Sequence, residues 1–220
     1  MYTIEDLFDT SKTIAADLFK GKKYPWEVLA DIRDFILQLG PTLPADEFYS
    51  PKENVWIAKD AEVFDSAYIG APCIIDHGAH IRHCAFIRES AIVGKETVVG
   101  NSVELKNVVL FDHVETPHYN YVGDSILGYH AHMGAGSITS NVKADRANVI
   151  IKGDELIPTG RKKVGAMLGD WAEIGCNTVL NPGTVVGRHT NIYPVSCVRG
   201  VIPAGSIYKD AEHIVLKKDE

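Results

Sequence analysis

Apolar residues recur along this chain at a fixed interval of six. From Ile57 the phase holds Val63, Ile69, Ile75, Ile81, Ile87, Val93, Val99, Leu105 and Phe111. Four residues further on it holds Ala61, Ala67, Cys73, Ala79, Ala85, Ala91, Thr97, Val103 and Val109, most of them small. A period of six fits neither the 3.6 of a helix nor the alternation of a free-standing strand. It is the signature of a parallel β-helix, whose hexapeptide units cannot bury an apolar face alone and need neighbours stacked on them. The large residue fills the interior, and the small one sits where the chain turns inward at a crowded corner.

Residues 1–45 have a different pattern. Ile4, Leu7, Phe8, Ile14, Ala15, Leu18 and Phe19 fall at helical spacing, with Thr3 and Asp6 as a capping pair. GKKYP (21–25) interrupts, and Trp26, Leu29, Ile32, Phe35 and Ile36 begin a second amphipathic helix that Gly40-Pro41 ends. The pattern predicts an N-terminal α-helical hairpin packed on the end or flank of the β-helix. A cap over open rungs and a dimerisation element are both compatible with it. The repeat domain is expected over 46–210. Its phase slips between 111 and 127, where Pro117 (read as inward-facing), Val122 and Leu127 are five apart. Such a slipped rung can re-aim a side chain as a bulge does. At about 142–163 the pattern gives way to an excursion, read as a short β-hairpin arm centred on IIKGDELI, and it resumes at Leu168, Ile174, Leu180, Val186 and Ile192. The tail, 211–220, reads equally as a final strand, a coil or a segment laid on a neighbouring subunit.

Composition narrows the partners. A net charge of −7 in 220 residues argues against nucleic acid, while local basic clusters can still take a small phosphorylated ligand. No apolar run reaches membrane-spanning length and MYTIEDLFDT lacks a signal-peptide pattern, so a soluble cytoplasmic chain with no membrane partner is expected. Cys73, Cys84, Cys176 and Cys197 show no metal-binding spacing and read as reduced core or corner residues.

Histidine is the side chain that titrates nearest neutrality. His77, His80 and His83 are three apart and fall on different sides of a six-residue rung. His130 and His132, two apart on one strand face, could share an ion, but no third ligand lies nearby and surface histidines are the plainer reading. His118 stands apart, in the slipped rung within TPHYNYVGDS. Upstream lie Arg88, Glu104 and Lys106. Residues eighteen apart stack in a three-sided coil, so Arg88 and Lys106 are expected one above the other, as a phosphate clamp or as solvated charge.

The segments FIRES, GNSVELKNVVL, PHYNYVGDSILG and MGAGSITSN, between residues 86 and 141, resemble the acetyltransferase domain of the bifunctional N-acetylglucosamine-1-phosphate uridylyltransferase/glucosamine-1-phosphate N-acetyltransferase family. NVKADRANVIIKGDELIPTGRKKVGAMLGDWAEIG is similar to the archaeal sugar-1-phosphate nucleotidylyltransferases that carry the same domain. The likeness runs over roughly residues 57 to 205. It implies a left-handed β-helix, a homotrimer, and acetyl-CoA bound in a groove between adjacent coils. By this resemblance His118 matches the catalytic base and Glu104 a carboxylate near the amine. Arg88 and Lys106 match phosphate contacts, and Tyr121 and Asn141 match substrate contacts. Ala135 falls on a backbone contact to the cofactor, and Gly136 beside it is expected to bind the cofactor as well. His132 stands where the bacterial enzymes have a sugar-contacting Asn, and Cys176 where a cofactor contact is usually Ser. No glycine-rich GxGTRL-like stretch occurs, so uridylyl transfer is not expected here, and a separate nucleotidyltransferase is a possible partner.

The leading expectation is an N-acetyltransferase acting on a phosphorylated amino sugar such as glucosamine 1-phosphate. His118 would take the amine proton, and backbone N–H groups of GAGS (134–137) would polarise the thioester carbonyl. Two alternatives stand beside it: a sugar-phosphate binding module without turnover, and a hexapeptide zinc enzyme built on His130 and His132.

Overall fold

The structure, a computed structural model, describes residues 1–218. The hexapeptides wind into a three-sided, left-handed parallel β-helix. Three columns of inward side chains run along its axis. The first is Ile57, Ile75, Val93, Leu110, Leu127, Leu168, Val186 and Ile202, each in register with the next. The second passes from Val63 through Ile81 and Val99 to Thr116, and further on holds Met133, Ile174, Ile192 and Tyr208. The third holds Ile69, Ile87, Leu105 and Val122, then Thr139, Leu180 and Val198. Each fully buried aliphatic side chain in these columns contributes roughly 1.5–3 kcal/mol.

The slip in phase begins one coil earlier than the hexapeptide count suggests. Leu110, not Phe111, pairs with Val93, so Leu105 and Leu110 are already five apart. Val122 and Leu127 repeat the step in the next coil. Both losses fall at one corner, where the strands Phe86–Val93, Glu104–Leu110 and Tyr121–Leu127 run unbroken from one face to the next. Two consequences correct the sequence reading. Thr116 rather than Pro117 fills the inward position, fully buried with its hydroxyl donated to the Val98 carbonyl, while Pro117 is only half-buried. Arg88 and Lys106 do not stack, because the register shifts between Ile87 and Glu89 and pairs Lys106 with Glu89.

Corners turn through left-handed backbone. Positive φ recurs in three columns: Glu96, His113, His130, Trp171 and His189; Cys84, Ser102, Tyr119, Gly136, Asn177 and Val195; and Ser90, Asn107 and Asp124. This conformation costs a non-glycine residue about 1–2 kcal/mol, and along the first column ring stacking offsets it. His113 lies on His130 at 4.6 Å and 4°, and His130 lies on Trp171 at 3.9 Å and 13°.

Residues 1–43 do not form a two-helix hairpin. Thr3 and Asp6 do make a reciprocal capping box, but the helix they start, Ile4–Leu7, stops after one turn. Local bonds then compete with helix continuation. The Asp9 carboxylate accepts from Ser11 N–H, and Asp9 N–H is donated to buried Asp170 at 2.8 Å. Short 3-10 turns follow, and one further α-helix, Ile32–Leu39. The segment is a strap along the flank rather than a plug over the end. It touches the coil from Trp56, which packs on Gly40, to Ala204, whose N–H is donated to the Tyr2 hydroxyl. Phe8 and Phe19 meet Phe111, the residue that the slip pushes out of the inward columns, at 5.1 and 5.5 Å.

Antiparallel strands cover the two ends instead: Phe48–Lys52 pairs with Val55–Ala58, and Ile214–Leu216, within the predicted tail, pairs with Ser206–Tyr208. Edge pairing of this kind hides backbone groups that would otherwise recruit another sheet. The excursion carries a hairpin of Ile150–Lys152 and Leu156–Pro158. No helix among the described residues is long and apolar enough to cross a membrane.

Phe8→Ala is expected to lower the unfolding free energy by about 3–5 kcal/mol, measured by urea denaturation. A loss within the about 0.5 kcal/mol typical of surface changes would mean that the strap is not anchored through Phe111. The stack makes a second prediction. Burial first, then His113, holds the His130 imidazole below its ordinary value, so the folded state prefers it neutral. That stability is present above the unfolded pKa of about 6.5 and is lost as pH falls through the lower folded value. An NMR titration should place the His130 midpoint below 6.5, and a midpoint above it would contradict the stacked geometry.

Candidate active site

One corner column gathers the residues matched to the cofactor and the base. His118 ends the strand Glu115–His118, and its ring is exposed and without a hydrogen bond among the described residues. Gly136 N–H is donated to the His118 carbonyl at 2.9 Å, Asn177 N–H to the Ala135 carbonyl at 2.8 Å, and Val195 N–H to the Cys176 carbonyl at 2.8 Å. His118, Ala135–Gly136 and Cys176 therefore rise coil upon coil along a single edge. Gly136 is required there, since its φ is +71° and a Cβ would strike the Asn177 side chain.

Of the GAGS segment, only one backbone donor is free. The N–H groups of Gly134, Gly136 and Ser137 go to the carbonyls of Ile174, His118 and Gly134. Ala135 N–H has no acceptor among the described residues. The expectation that the segment as a whole polarises a carbonyl narrows to that single group. Buried Asn120 explains why the turn keeps this shape: its side-chain amide donates to the Gly134 and Ser137 carbonyls from inside the coil.

Just past this corner begins a polar network. Arg88 Nη1 lies 2.9 Å from Glu104 Oε1. Glu104 is in register with Tyr121, whose hydroxyl accepts from Asn141 Nδ2 at 3.2 Å. The same Nδ2 is donated to Asp124 Oδ2 at 2.6 Å, while Asn107 Nδ2 is donated to Asp124 Oδ1 at 3.0 Å. Lys106 Nζ stands 3.8 Å from Asp124 Oδ2. Neither matched cation is thus bare: Arg88 has Glu104 and Lys106 has Asp124. Burial, the largest effect, raises the Tyr121 phenol above its usual range, with Asn141 pulling the other way. Tyr121 keeps its proton, and because its oxygen already accepts from Asn141, that proton is free to donate outward.

Asp124 was not among the sequence candidates, nor was Asn107. A signal existed, since Asn107, Asp124 and Asn141 are seventeen apart and stack at the shortened corner. Asn and Asp are also the side chains that best tolerate left-handed backbone, which Asn107 and Asp124 adopt.

His132 lies elsewhere. It is in register with Glu115, three residues before His118, or roughly 10 Å along the strand. Its Nδ1 is 2.9 Å from Glu173 Oε2. His130 is held in its aromatic stack, so the two rings do not converge, and no cluster of three or more candidate metal ligands exists among the described residues. His77 is engaged by Asp60 and Glu47, and His80 by Glu62.

Sequence comparison finds relatives for the repeat region. The GMPPB C-terminal domain family matches residues 69–159. A bifunctional sugar-1-phosphate nucleotidylyltransferase/acetyltransferase of Sulfurisphaera tokodaii is 33% identical over 160 residues, 72% of this chain and 40% of that protein. The bifunctional protein GlmU of Methanococcus maripaludis is 31% identical over 119 residues, 53% of this chain and 29% of that protein. The chain thus spans less than half the length of these curated relatives. Among solved structures, the acetyltransferase domain of PglB from Neisseria gonorrhoeae overlaps 84% of this chain and 65% of its own at 15% identity, with a TM-score of 0.36. By sequence, the β-helix of this chain is a relative of the hexapeptide-repeat domain of the bifunctional sugar-1-phosphate nucleotidylyltransferase/acetyltransferases.

Proposed function

We propose that this protein is an acetyl-CoA-dependent N-acetyltransferase whose acceptor is a phosphorylated amino sugar such as glucosamine 1-phosphate. One observation carries the reading: exposed His118 sits at the junction between the corner column of Ala135, Gly136 and Cys176 and the network of Arg88, Glu104, Tyr121 and Asn141. The names of the archaeal relatives support it.

The corner suits a thioester cofactor. It offers the free Ala135 N–H, and next to it exposed apolar surface at Tyr193 and at Val195, which holds strained left-handed backbone while 80% exposed. When bound, acetyl-CoA would supply an acyl carbon bearing a good leaving group. His118 takes the proton from the amine as the C–N bond forms, and returns it to sulfur as the C–S bond breaks. Ala135 N–H stabilises the charge that develops on the carbonyl oxygen. Tyr121 donates to the sugar from a position fixed by Asn141. The sugar phosphate draws Arg88 away from Glu104 and is met by Lys106. An exposed ion pair such as Arg88–Glu104 contributes little stability, so exchanging its carboxylate for a phosphate costs little. Glu104, once released, faces the amine.

The same reading holds that the active form is a homotrimer in the cytoplasm. Tyr68, Phe86 and Tyr119 are exposed along the face and corner that flank the site, and a neighbouring copy would cover them. A separate nucleotidyltransferase would consume the product.

The test is turnover of acetyl-CoA with a panel of amino-sugar phosphates, in wild type and His118→Ala. The variant should lower kcat roughly 10²–10⁴-fold and leave KM nearly unchanged. His80→Ala, on the same face but bonded to Glu62, should behave as wild type. Full turnover in His118→Ala would remove the general base from the account. No turnover with any sugar phosphate, together with retained sugar-phosphate binding, would favour the binding module instead.

A further inference from the structure

The C-terminal end of the coil finishes in an open strand edge. Ile214–Leu216 pairs antiparallel with Ser206–Tyr208 and is the last strand of its sheet, with no neighbour on its other side among the described residues. Lys217 N–H is donated to the Gly205 carbonyl, and Lys209 N–H to the His213 carbonyl. The backbone groups of His213, Val215 and Lys217 therefore face the sheet, and those of Ile214 and Leu216 face away from it. Among the described residues the N–H and C=O groups of Ile214 and Leu216 have no partner there.

The side chains on this edge are apolar as well. Ile214, Val215 and Leu216 are 38%, 42% and 74% exposed, three large apolar residues in succession. Ile214 and Leu216 lie opposite Tyr208 and Ser206, so they stand on the side of the sheet that faces the coil interior, just past its last rung. The strand at the other end of the coil, Phe48–Lys52, is blunted by Pro51, which has no N–H, and by the charge of Lys52. Ile214–Leu216 contains neither device.

We propose that this edge docks a second copy of the chain, tail to tail, with the two Ile214–Leu216 strands antiparallel about a two-fold axis through Val215. In that register Ile214 of each copy lies opposite Leu216 of the other, and each such pair exchanges both N–H···O=C bonds, because these are the residues whose backbone groups point outward. Charge matches too. Lys217 and Lys218 of one copy come beside the turn of the other, where Asp210 and Glu212 stand. Asp210 already holds His213 at 2.8 Å, whereas Glu212 and Lys218 form no ion pair among the described residues. A surface that complements itself in this way is what a closed two-fold contact requires. The joint does not rest on the proposed acetyl transfer. One short strand buries little area, so single coils join weakly, and copies that also associate along the flank join more tightly because several joints close at once.

Sedimentation velocity and cross-linking of the full chain test the proposal. At micromolar concentration wild type should reach twice the mass of Leu216→Lys. Leu156→Lys, which changes an equally apolar and 68% exposed leucine on the excursion hairpin, should keep the wild-type mass. Cross-linking reads the register directly. The two-fold sets the two 215 side chains opposite each other, with Cβ atoms about 4.5–5.5 Å apart, so Val215→Cys should form a disulfide-linked dimer under mild oxidation. Ile214→Cys, which faces Leu216 instead, should not. Wild type, with exposed Cys84, Cys176 and Cys197, sets the background on the same non-reducing gel. Doubling from a monomer rather than from a trimer would support the joint and remove the flank association. Wild type with the mass of Leu216→Lys, an equal loss of mass in Leu156→Lys, or no dimer of Val215→Cys above background would each overturn the proposal. So would cross-linking of Ile214→Cys as strong as that of Val215→Cys.

Discussion

The constraint on which this structure depends is the turn at each corner of the coil. A parallel β-helix of six-residue faces must turn from one face to the next every six residues or so, and at many corners it does so here through left-handed backbone that L-residues adopt at a cost. Where the corner residue stacks on its neighbours above and below, the cost is recovered in contact. His113, His130 and Trp171 do this with rings. Asn107, Asp124 and Asn141 do it with hydrogen bonds. The second column, through Tyr119, Gly136 and Val195, leaves apolar side chains outside, and it is there that the free Ala135 N–H and the His118 ring also lie.

Shortening one corner by a residue in two successive coils has effects well beyond that corner. It displaces Phe111 from the inward columns and gives the strap its anchor against Phe8 and Phe19. It also takes Arg88 and Lys106 out of vertical alignment, so each acquires its own carboxylate. Asp124, buried at the shortened corner, joins Tyr121, through Asn141, to Lys106. A regular eighteen-residue coil would offer two stacked, mutually repelling cations. The shorter one holds each cation beside its own carboxylate.

Much of this was legible in the chain because the β-helix writes its core into sequence. Ile75, Val93, Leu168 and Val186 fall on the count of six and on the interior together. His118, Ala135, Gly136 and Cys176, singled out by resemblance, share one edge. What was not legible depended on single-residue changes in register. Counting by six carried Phe111 along as if it were inward, and it took Pro117 for the residue that Thr116 replaces. The helical spacing of Ile14, Leu18 and Phe19 was real as a pattern of burial, but Asp9 and Asp170 fix the backbone there in tight turns.

If Asp124 organises the site, removing its charge while keeping its shape should damage function more than fold. Asp124→Asn places an amide N–H where Asn107 or Asn141 already donates, so one of the two bonds must be lost. The measurement is kcat/KM for acetyl transfer to the best amino-sugar phosphate, beside the circular-dichroism spectrum of the same variant. The account predicts a β-rich spectrum like that of wild type and a fall in kcat/KM of at least about tenfold, the equivalent of about 1.4 kcal/mol. Wild-type kcat/KM in Asp124→Asn would contradict it, and would show that the shortened corner positions nothing that the chemistry uses.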